Sequence, residues 1–435
     1  MDYSEALHRI EALREFGSQP GLERVKKLLC LMGNPQDKLS FVHVAGTNGK
    51  GSVCAVLSSV LTQSGYTTGL FTSPYITCLR EQIQIGGVMI CKEEFSALCE
   101  YVFAYVDTLF SEGIIITEFE FTMALAFECF YRKNCDVVVL EVGMGGLYDS
   151  TNVIDAPLCA VLTPISLDHT GMLGSTLESI ACHKCGIIKE GTTVVSATQT
   201  PQVKKIIEDT CLEKSVTVKF CEDKLLVTDR NIDGTRLIYK DEEMCLPLLG
   251  EHQAENLSLA LNVLEELLQK GFDRITLRSI REGIARINHP ARFEVMCKNP
   301  LVIVDGAHNP DGMKTFSDTV RSLLPEKKGV LLLGMLKDKD ADASLEYIKD
   351  LFCEVFTVTI NNPRTMTAFE LEAKCGAYFE RVTSCISLED AFDKAIEIAQ
   401  ENDTHLCVCG SLYLASQIRP YILKALTQGN FTTTE

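Results

Sequence analysis

The sequence predicts an α/β protein built from parallel sheets with helices on both faces. First, eight short apolar runs recur along the 435-residue chain, with helical patterns between many of them, as is typical of strands joined by crossover helices. Second, a glycine-rich turn follows the first run and indicates a P-loop-type N-terminal domain. Third, the proline-containing segment 287–300 precedes a new strand, so we expect domains at 1–295 and 296–435.

The predicted strands share a length of a few residues and a nearly continuous apolar character. In chain order they lie within SFVHVAG, TTGLFTS, DVVVLEVG, CAVLTPI, LVIVDGA, GVLLLGML, EVFTVTI and HLCVCGS. The clearest helical pattern covers 255–269, with Gly271 as its stop signal. The polar tail TQGNFTTTE is predicted to be disordered.

Composition excludes several classes of protein. The net charge of −18 argues against nucleic-acid or anionic-membrane partners, which require clustered Lys and Arg. No apolar run approaches the roughly 20 residues of a membrane helix, and the N-terminus lacks the apolar core of a signal peptide. We therefore expect a cytoplasmic protein whose 19 cysteines are mostly small buried apolar residues.

The stretch FVHVAGTNGKGS resembles a phosphate-binding loop but departs from G-x-x-x-x-G-K-[ST]. The predicted cradle consists of Gly46, Thr47, Asn48, Gly49, Lys50, Gly51 and Ser52. Between a strand and a helix, its backbone N–H groups would face an anion, Lys50 would add a positive charge, and Ser52 could bind Mg²⁺. The alternative is a strand–helix turn that holds no ligand.

Two polar residues near the ends of later apolar runs are further candidates. Glu141 ends DVVVLEV, where a carboxylate is costly unless it binds a metal or a partner. His169 follows CAVLTPI, at the strand end where open α/β sheets place ligands. Each has a plainer alternative, a solvent-facing Glu and a structural His.

The stretch STLESIACHKCG predicts a helix that starts at Thr176, because Ser175 and Glu178 match a capping box. Cys182 and Cys185 within it form C-x-x-C. Zinc would need a second ligand pair, and a thioredoxin-like site would need the pair at the helix N-terminus. We therefore interpret both cysteines as structural.

The C-terminal half repeats the pattern of a strand followed by polar residues. Asp305 and His308 follow LVIV, and Ser411 follows HLCVC. The ends of parallel strands are where such sheets bind ligands, so these three residues are further site candidates.

Thirteen stretches match the sequence motifs of one known family and occur in the same order as those motifs. They are VAGTNGKGS, TSPYI, TEFE, LEVGMGG, DSTNV, SLDHTGMLG, KCGIIKEG, HQAENLSLAL, ARFE, DGAHNP, GMLKDKD, NNPRTMTAFEL and CGSLYLAS. On these residues the chain resembles the folylpolyglutamate synthase/dihydrofolate synthase family, a branch of the Mur ligases, from the N-terminal helix to about Arg419. The resemblance implies a smaller Rossmann-like C-terminal domain. It also implies ATP-driven amide formation between L-glutamate and a folate, either dihydropteroate or tetrahydrofolate, through an acyl phosphate.

The resemblance implies roles residue by residue. The cradle holds the ATP phosphates, with Asn256, Arg292 and Asp305 as further ATP contacts. Two Mg²⁺ ions are implied, the first held by Ser52, Ser73 and Glu141, and the second by Glu141, His169 and Lys184. The catalytic set is Lys50, Lys184, Asp305, His308 and Ser411. Tyr75, Gln82 and Asn152 occupy positions expected beside the substrate.

This chain departs from the family pattern at four positions. The family usually has Arg where this chain has Gln82 and Leu147, and it usually has Glu and Ala where this chain has His183 and Cys185. The first two changes remove cations from the expected pterin-acid site. The phosphate and metal positions keep the family residues.

Lys184 is the residue that the family carbamylates, which turns a cation into a carboxylate. Ile180, Ala181, Ile187 and Ile188 surround it in sequence, so we expect its helix face to be partly buried. A buried amine is shifted toward its neutral form, and a neutral amine is the form that captures carbon dioxide.

The leading prediction is therefore an ATP-dependent folate–glutamate ligase that acts as a monomer. One alternative is a related ligase with a non-folate acid, suggested by Gln82 and Leu147. The other is a nucleotide-binding protein that has lost ligation. Acceptor-dependent phosphate release separates the three.

Overall fold

The computed structural model describes residues 1–17 and 19–427, and the chain in it separates into two compact units. The first comprises Met1–Tyr75, Leu79–Leu225 and Glu255–Ile287. The second comprises Ile76–Cys78, Leu226–Ala254 and the chain from Asn288 onward. Most of the tail predicted to be disordered lies outside the described residues.

The first unit contains an eight-stranded sheet with the order β4-β3-β2-β5-β1-β6-β7-β8. Its strands are β1 Phe41–Ala45, β2 Thr68–Phe71, β3 Ile83–Ile85, β4 Val88–Met89, β5 Val137–Glu141, β6 Cys159–Leu162, β7 Thr193–Ala197 and β8 Val218–Cys221. The neighbouring strands in the order β2-β5-β1-β6-β7-β8 pair in parallel, whereas β3 and β4 form an antiparallel edge beside β2. Parallel pairing brings the carboxyl ends of β1, β2 and β5 to one edge of the sheet.

Ten helices accompany this sheet within the described chain. They are α1 Tyr3–Ala12, α2 Glu23–Leu31, α3 Lys50–Gln63, α4 Lys92–Ser111, α5 Glu118–Arg132, α6 Thr170–Leu173, α7 Leu177–Cys185, α8 Pro201–Glu213, α9 Glu251–Gln269 and α10 Leu277–Ala285. Short 3₁₀ turns cover Leu13–Phe16, Pro35–Lys38, Leu79–Gln82 and Ser150–Val153. Strands β1 and β5 are buried at every residue, which explains their unbroken apolar sequences.

The second unit contains two sheets. A three-stranded antiparallel sheet consists of β9 Leu226–Asn231, β10 Gly234–Tyr239 and β11 Glu242–Leu246. A six-stranded sheet has the order β12-β13-β17-β14-β15-β16, with β12 Glu294–Lys298, β13 Leu301–Val304, β14 Gly329–Leu333, β15 Phe352–Val358, β16 Val382–Cys385 and β17 Leu406–Cys409. Its helices are α11 Pro310–Leu323, α12 Ala341–Ile348, α13 Ala368–Cys375, α14 Leu388–Glu401 and α15 Leu412–Thr427.

The predicted fold class is confirmed, since both units carry parallel sheets with helices. All eight predicted strands are present. The predicted domains, 1–295 and 296–435, are separated by a single boundary. In the structure, residues 226–254 also belong to the second unit, although they precede that boundary. The physical reason is that, in the part of the chain that the structure describes, β9, β10 and β11 pair with one another and not with the large parallel sheet.

Two helix starts differ from the sequence prediction. Helix α7 begins at Leu177, one residue late, because the Thr176 side chain rather than that of Ser175 caps it by accepting from Ser179 N at 3.2 Å. Helix α9 begins at Glu251, four residues before the predicted start at Glu255.

The cysteines behave as predicted. All 19 are free thiols, and 12 of them are buried. Cys185 is buried and Cys182 is exposed at the C-terminal end of α7, away from the helix N-terminus that a redox pair would need. Searched across 1–17 and 19–427, the chain has no helix long and apolar enough to cross a membrane.

Buried His405 makes the second unit sensitive to acid. It is 4% exposed, its Nε2 has no hydrogen-bond partner within the described part of the chain, and burial lowers its pKa to about 4. The unfolded chain, with an ordinary histidine pKa near 6.5, binds a proton at higher pH than the folded chain does. Folding stability therefore falls as the pH decreases from about 6.5 towards 4.

We expect His405→Leu to reduce this loss, which is at most about 1.4 kcal/mol per pH unit for one histidine. The measurement is the free energy of unfolding in urea at several pH values between 7.5 and 4. His8→Leu, at an exposed histidine, is the matched control for the loss of one histidine side chain. Equal slopes for the wild type and His405→Leu would contradict the prediction.

Candidate functional site

The glycine-rich turn lies between β1 and α3 and presents the N-terminus of α3. Gly49 occupies the N-cap position in the left-handed region, with φ 87°, and no side chain caps the helix. Such a start leaves the first backbone N–H groups of α3 available to an anion, with the positive end of the helix dipole behind them. Ser52 lies in this first turn and is 3% exposed.

Two glycines of the turn have no room for a side chain. A Cβ at Gly46 would lie 1.8 Å from Thr163 Oγ1, and one at Gly49 would lie 2.4 Å from Asn256 Oδ1. Thr47 ties the turn to the segment after β6, because its hydroxyl is 3.0 Å from both Ser166 N and Ser166 O. Asn256, a predicted ATP contact, therefore packs directly against the cradle.

Two lysines share one backbone oxygen in the turn. Lys50 Nζ donates to Gly46 O at 3.2 Å and to Thr47 O at 3.2 Å, while Lys184 Nζ donates to Gly46 O at 2.6 Å. Lys184 is 4% exposed, so the burial expected from its sequence neighbours is confirmed. Burial and the nearby charge of Lys50 lower the pKa of Lys184 to about 7.

Glu141 occupies the carboxyl end of β5, next to the end of β2. It is 5% exposed, and its Oε2 accepts from Ser73 N at 3.2 Å. The structure thus brings together Glu141 and Ser73, which were predicted to share a metal ion. Carboxylate and hydroxyl oxygens are donors that suit Mg²⁺.

His169 and its neighbour Asp168 follow β6. His169 has φ 50°, its side chain is 44% exposed, and its backbone N donates to Asp168 Oδ1 at 2.8 Å. Both residues line a small cleft that we call the glycine pocket. Its lining consists of Gly46, Thr47, Lys50, Val142, Gly143, Met144, Gly145, Asp168, His169 and Lys184.

The glycine pocket combines two cations, an open helix N-terminus and nearby carboxylates. This set suits a polyphosphate with a hard metal ion. No group of three or more His, Cys, Asp or Glu side chains across the described part of the chain could hold a metal ion by itself. Mg²⁺ usually takes only one or two protein carboxylates and completes its shell with phosphate and water, so the donors present fit it.

The three predicted substrate residues have different surroundings. Tyr75 Oη accepts from Arg14 Nη2 at 2.8 Å. Gln82 is 5% exposed at the end of the 3₁₀ turn before β3. Asn152 donates its amide to Leu147 O at 3.2 Å and to Gly186 O at 3.0 Å, so it ties the loop after β5 to the end of α7.

The structure also shows the surroundings of residues at and beside the positions that depart from the family pattern. Leu147 is 39% exposed, and its backbone N donates to His183 O at 2.8 Å. Arg80 donates to Ile90 O at 2.7 Å and lies over the ring of Tyr3, so it is engaged within the fold beside Gln82.

In the second unit, Asp305 and Ser411 follow the adjacent parallel strands β13 and β17. Asp305 accepts from Phe293 N at 2.6 Å and from Ala307 N at 2.7 Å, and burial raises its pKa despite the charge of Arg292. Ser411, 2% exposed, accepts from Tyr413 N at 3.1 Å. The structure therefore groups these residues at one sheet edge.

His308 and Arg292 lie around the same loop. His308 Nδ1 is 2.8 Å from Gly306 O, and a Cβ at Gly306 would lie 3.1 Å from Arg292 Nη1. His252, which was not predicted, has its pKa lowered to about 4 by burial and by the charge of Arg292. Its signal in the sequence is the HQAEN stretch, which drew attention to Asn256 alone.

Sequence reasoning also missed residues behind the glycine pocket. Asp149 is buried, and its carboxylate accepts a hydrogen bond from Met144 N at 2.8 Å. Met144 lines the pocket. Thr151 and His43 continue a chain of hydrogen bonds from this carboxylate into the sheet. The sequence signal was the DSTN stretch, which was used only as a motif.

The chain matches the Mur ligase middle domain over residues 44–264 and the Mur ligase glutamate ligase domain over residues 291–412. It is 33% identical over 428 residues to the dihydrofolate synthase/folylpolyglutamate synthase of Bacillus subtilis, covering 96% of this chain and 98% of the relative. The fold, the glycine pocket and the two domain matches define a Mur-type ligase.

Similar solved structures indicate which family of Mur-type ligases the chain belongs to. Mycobacterium tuberculosis folylpolyglutamate synthase, complexed with ADP and AMPPCP, superposes with a TM-score of 0.88 at 32% identity, covering 97% of this chain and 99% of that one. Escherichia coli FolC, in complex with DHPP and ADP, gives 0.84 at 29% identity, covering 97% and 98%. The chain belongs to the folylpolyglutamate synthase/dihydrofolate synthase family, so the resemblance predicted from its motifs is confirmed.

We expect Gly49→Ala to weaken binding of AMPPCP at least about tenfold, since a left-handed alanine is strained by roughly 1–2 kcal/mol and its Cβ would also meet Asn256. Isothermal titration calorimetry measures the dissociation constant. Gly191→Ala is the matched control, because Gly191 has φ 82° but nothing within 4 Å of its Cβ position. Equal losses in both variants would contradict the prediction, because Gly191 does not line the glycine pocket and its effect on binding would be a general one.

Proposed function

We propose that this protein is an ATP-dependent ligase that joins L-glutamate to the carboxylate of a folate, either dihydropteroate or a tetrahydrofolate. The observation that carries the proposal is the glycine pocket, where the N-terminus of α3 and the ammonium groups of Lys50 and Lys184 converge. ADP and AMPPCP in the Mycobacterium tuberculosis relative, and DHPP with ADP in Escherichia coli FolC, support it.

In the proposed reaction, a carboxylate oxygen of the folate attacks the γ-phosphorus of ATP, and ADP leaves. The resulting acyl phosphate is attacked by the amine of glutamate, which releases phosphate and a proton and forms the amide. Backbone N–H groups of α3 and Lys50 bind the phosphate oxygens, where negative charge must be offset during transfer. Asn256 packs against the turn and keeps Gly49 in place.

We assign Ser52, Ser73 and Glu141 to one Mg²⁺ ion, and Glu141, His169 and Lys184 to a second. When bound, Mg²⁺ neutralises phosphate charge and orients the γ-phosphate. Glu141 is prepared for this role because it is buried and already oriented by Ser73 N. In the second unit, we assign Asp305, His308 and Ser411 to the phosphate and the glutamate, and Arg292 to ATP.

A second candidate is a ligase of the same chemistry with a different acid substrate. Gln82 is uncharged and 5% exposed, Leu147 is apolar and 39% exposed, and Arg80 is engaged by Ile90 O. The two cations expected from the family are therefore not replaced by Arg80 in this structure. An acid that needs fewer cations would suit these positions.

The deciding experiment is phosphate release from ATP with pteroate, dihydropteroate, tetrahydrofolate and non-pterin acids, each with a set of amino acids. We expect turnover only with a folate and L-glutamate together, and Lys50→Ala should lower kcat by about a hundredfold or more, on the scale of one lost transition-state contact. Turnover with another acid would favour the second candidate. Nucleotide binding without acceptor-dependent turnover would refute ligation.

We further propose that Lys184 is carbamylated in the active enzyme. A neutral Nζ attacks carbon dioxide, forms an N–C bond and loses a proton, which leaves an anion able to bind Mg²⁺. The support is that Lys184 is 4% exposed and that burial and Lys50 lower its pKa to about 7, so a substantial neutral fraction exists near neutral pH.

We expect Lys184→Ala and Lys184→Arg to lose most activity, because neither side chain can form a carbamate. A short-chain carboxylate should restore part of the activity of Lys184→Ala alone, since only that variant leaves space for it. Wild-type enzyme freed of carbon dioxide should regain activity on addition of bicarbonate, and the gain should increase as the pH rises through 7. Full activity in either variant would exclude carbamylation as a requirement.

A further inference from the structure

A buried chain of hydrogen bonds runs from β1 to the wall of the glycine pocket. His43 Nε2 is 2.9 Å from Thr151 Oγ1, and Thr151 Oγ1 is 2.6 Å from Asp149 Oδ1. Asp149 Oδ2 then accepts from Met144 N at 2.8 Å. His43 and Thr151 are fully buried, and Asp149 is 8% exposed, so solvent scarcely reaches this chain.

The direction of each bond follows from the donors. The backbone N–H groups of Met144 and Thr151 can only donate, so the Asp149 carboxylate accepts from both. The short distance to Thr151 Oγ1 is typical of a hydroxyl that donates to a carboxylate. That hydroxyl has one proton, so it accepts from His43 Nε2–H.

This tautomer leaves His43 Nδ1 as a buried acceptor that has no hydrogen-bond partner among residues 1–17 and 19–427. Burial of an unsatisfied acceptor destabilises the folded chain. An apolar side chain on this fully buried strand would avoid the cost. The hydrogen bond from the ring to Thr151 offsets part of this cost.

The other end of the chain is the loop 143–145, which lines the pocket together with residues of the glycine-rich turn. Its backbone is held closely, because a Cβ at Gly143 would lie 2.6 Å from Phe119 Cζ and 3.1 Å from Asp149 Oδ2. The loop starts two residues after Glu141. A displacement of Asp149 would therefore move both the wall and the segment that carries Glu141.

We propose that His43 and Thr151 are positioning residues for the glycine pocket, which act through the Asp149 carboxylate on the backbone of the loop 143–145. His43 lies on the strand that leads into the cradle, three residues before Gly46. The chain thus links β1 to the loop 143–145 through one set of buried hydrogen bonds. Its catalytic consequence rests on the proposed function, whereas its structural part does not.

The test compares Thr151→Val, which keeps the side-chain shape and removes the hydroxyl, with Thr151→Ser, which keeps the hydroxyl. Hydrogen–deuterium exchange of the peptide around 142–148 reports the Met144 amide in the full chain. We expect faster exchange in Thr151→Val, confined to this peptide, and wild-type exchange in Thr151→Ser. His43→Leu should also show faster exchange of this peptide. In His43→Gln, which retains a hydrogen-bond donor, the peptide should exchange more slowly than in His43→Leu.

The kinetic arm uses the same variants. We expect Thr151→Val to lower kcat about tenfold or more, as small displacements of reacting groups do, with KM for ATP changed less than threefold. Thr151→Ser should restore kcat. Thr357→Val is the matched control, because Thr357 is also fully buried and its hydroxyl donates to a backbone carbonyl, Ala368 O, at 2.9 Å.

Unchanged exchange in Thr151→Val would overturn the proposal. So would faster exchange throughout the first unit with a lower Tm, because that result describes a general loss of stability. If the wild-type protein shows no ligase activity on any substrate, the proposed function fails. The exchange comparison still decides whether Thr151 and His43 position the loop.

Discussion

The carbonyl oxygen of Gly46 is the point on which the pocket depends, because it accepts hydrogen bonds from two ammonium groups, those of Lys50 and Lys184. Two like charges on one acceptor repel each other, and burial adds to the cost of keeping Lys184 charged. An anion between them would relieve the repulsion. The pocket is therefore built to favour phosphate, or to release the proton of one lysine.

The close approach of the backbone is what makes this arrangement possible. Gly46 lies against Thr163, and Gly49 lies against Asn256, so closely that a Cβ atom at either glycine would clash. The helix N-terminus consequently faces the same space as the lysines. The parallel strands β1, β2 and β5 end at this edge, so Glu141 and Ser73 arrive beside the turn without any long loop.

Two buried carboxylates, one in each unit, accept hydrogen bonds from backbone N–H groups. Asp149 accepts from Met144 and Thr151, and Asp305 accepts from Phe293 and Ala307. Each carboxylate thereby fixes the loop that supplies its donors, at a strand end where ligands bind in sheets of this kind. The same physical device, a desolvated acid that orders a turn, serves both units.

The sequence by itself determined the parallel α/β class, the eight apolar strands, the cradle and the burial of Lys184, because each depends on local pattern or on neighbouring residues. It also placed the polar residues at strand ends. It did not reveal the sheet of β9, β10 and β11, whose half-polar strands lack a continuous apolar run. Only the tertiary structure joined His43, Thr151 and Asp149, which lie up to 108 residues apart in sequence. It also decided that Arg80 is engaged by Ile90. Such contacts depend on how distant segments pack in the folded chain, which cannot be read from local sequence patterns.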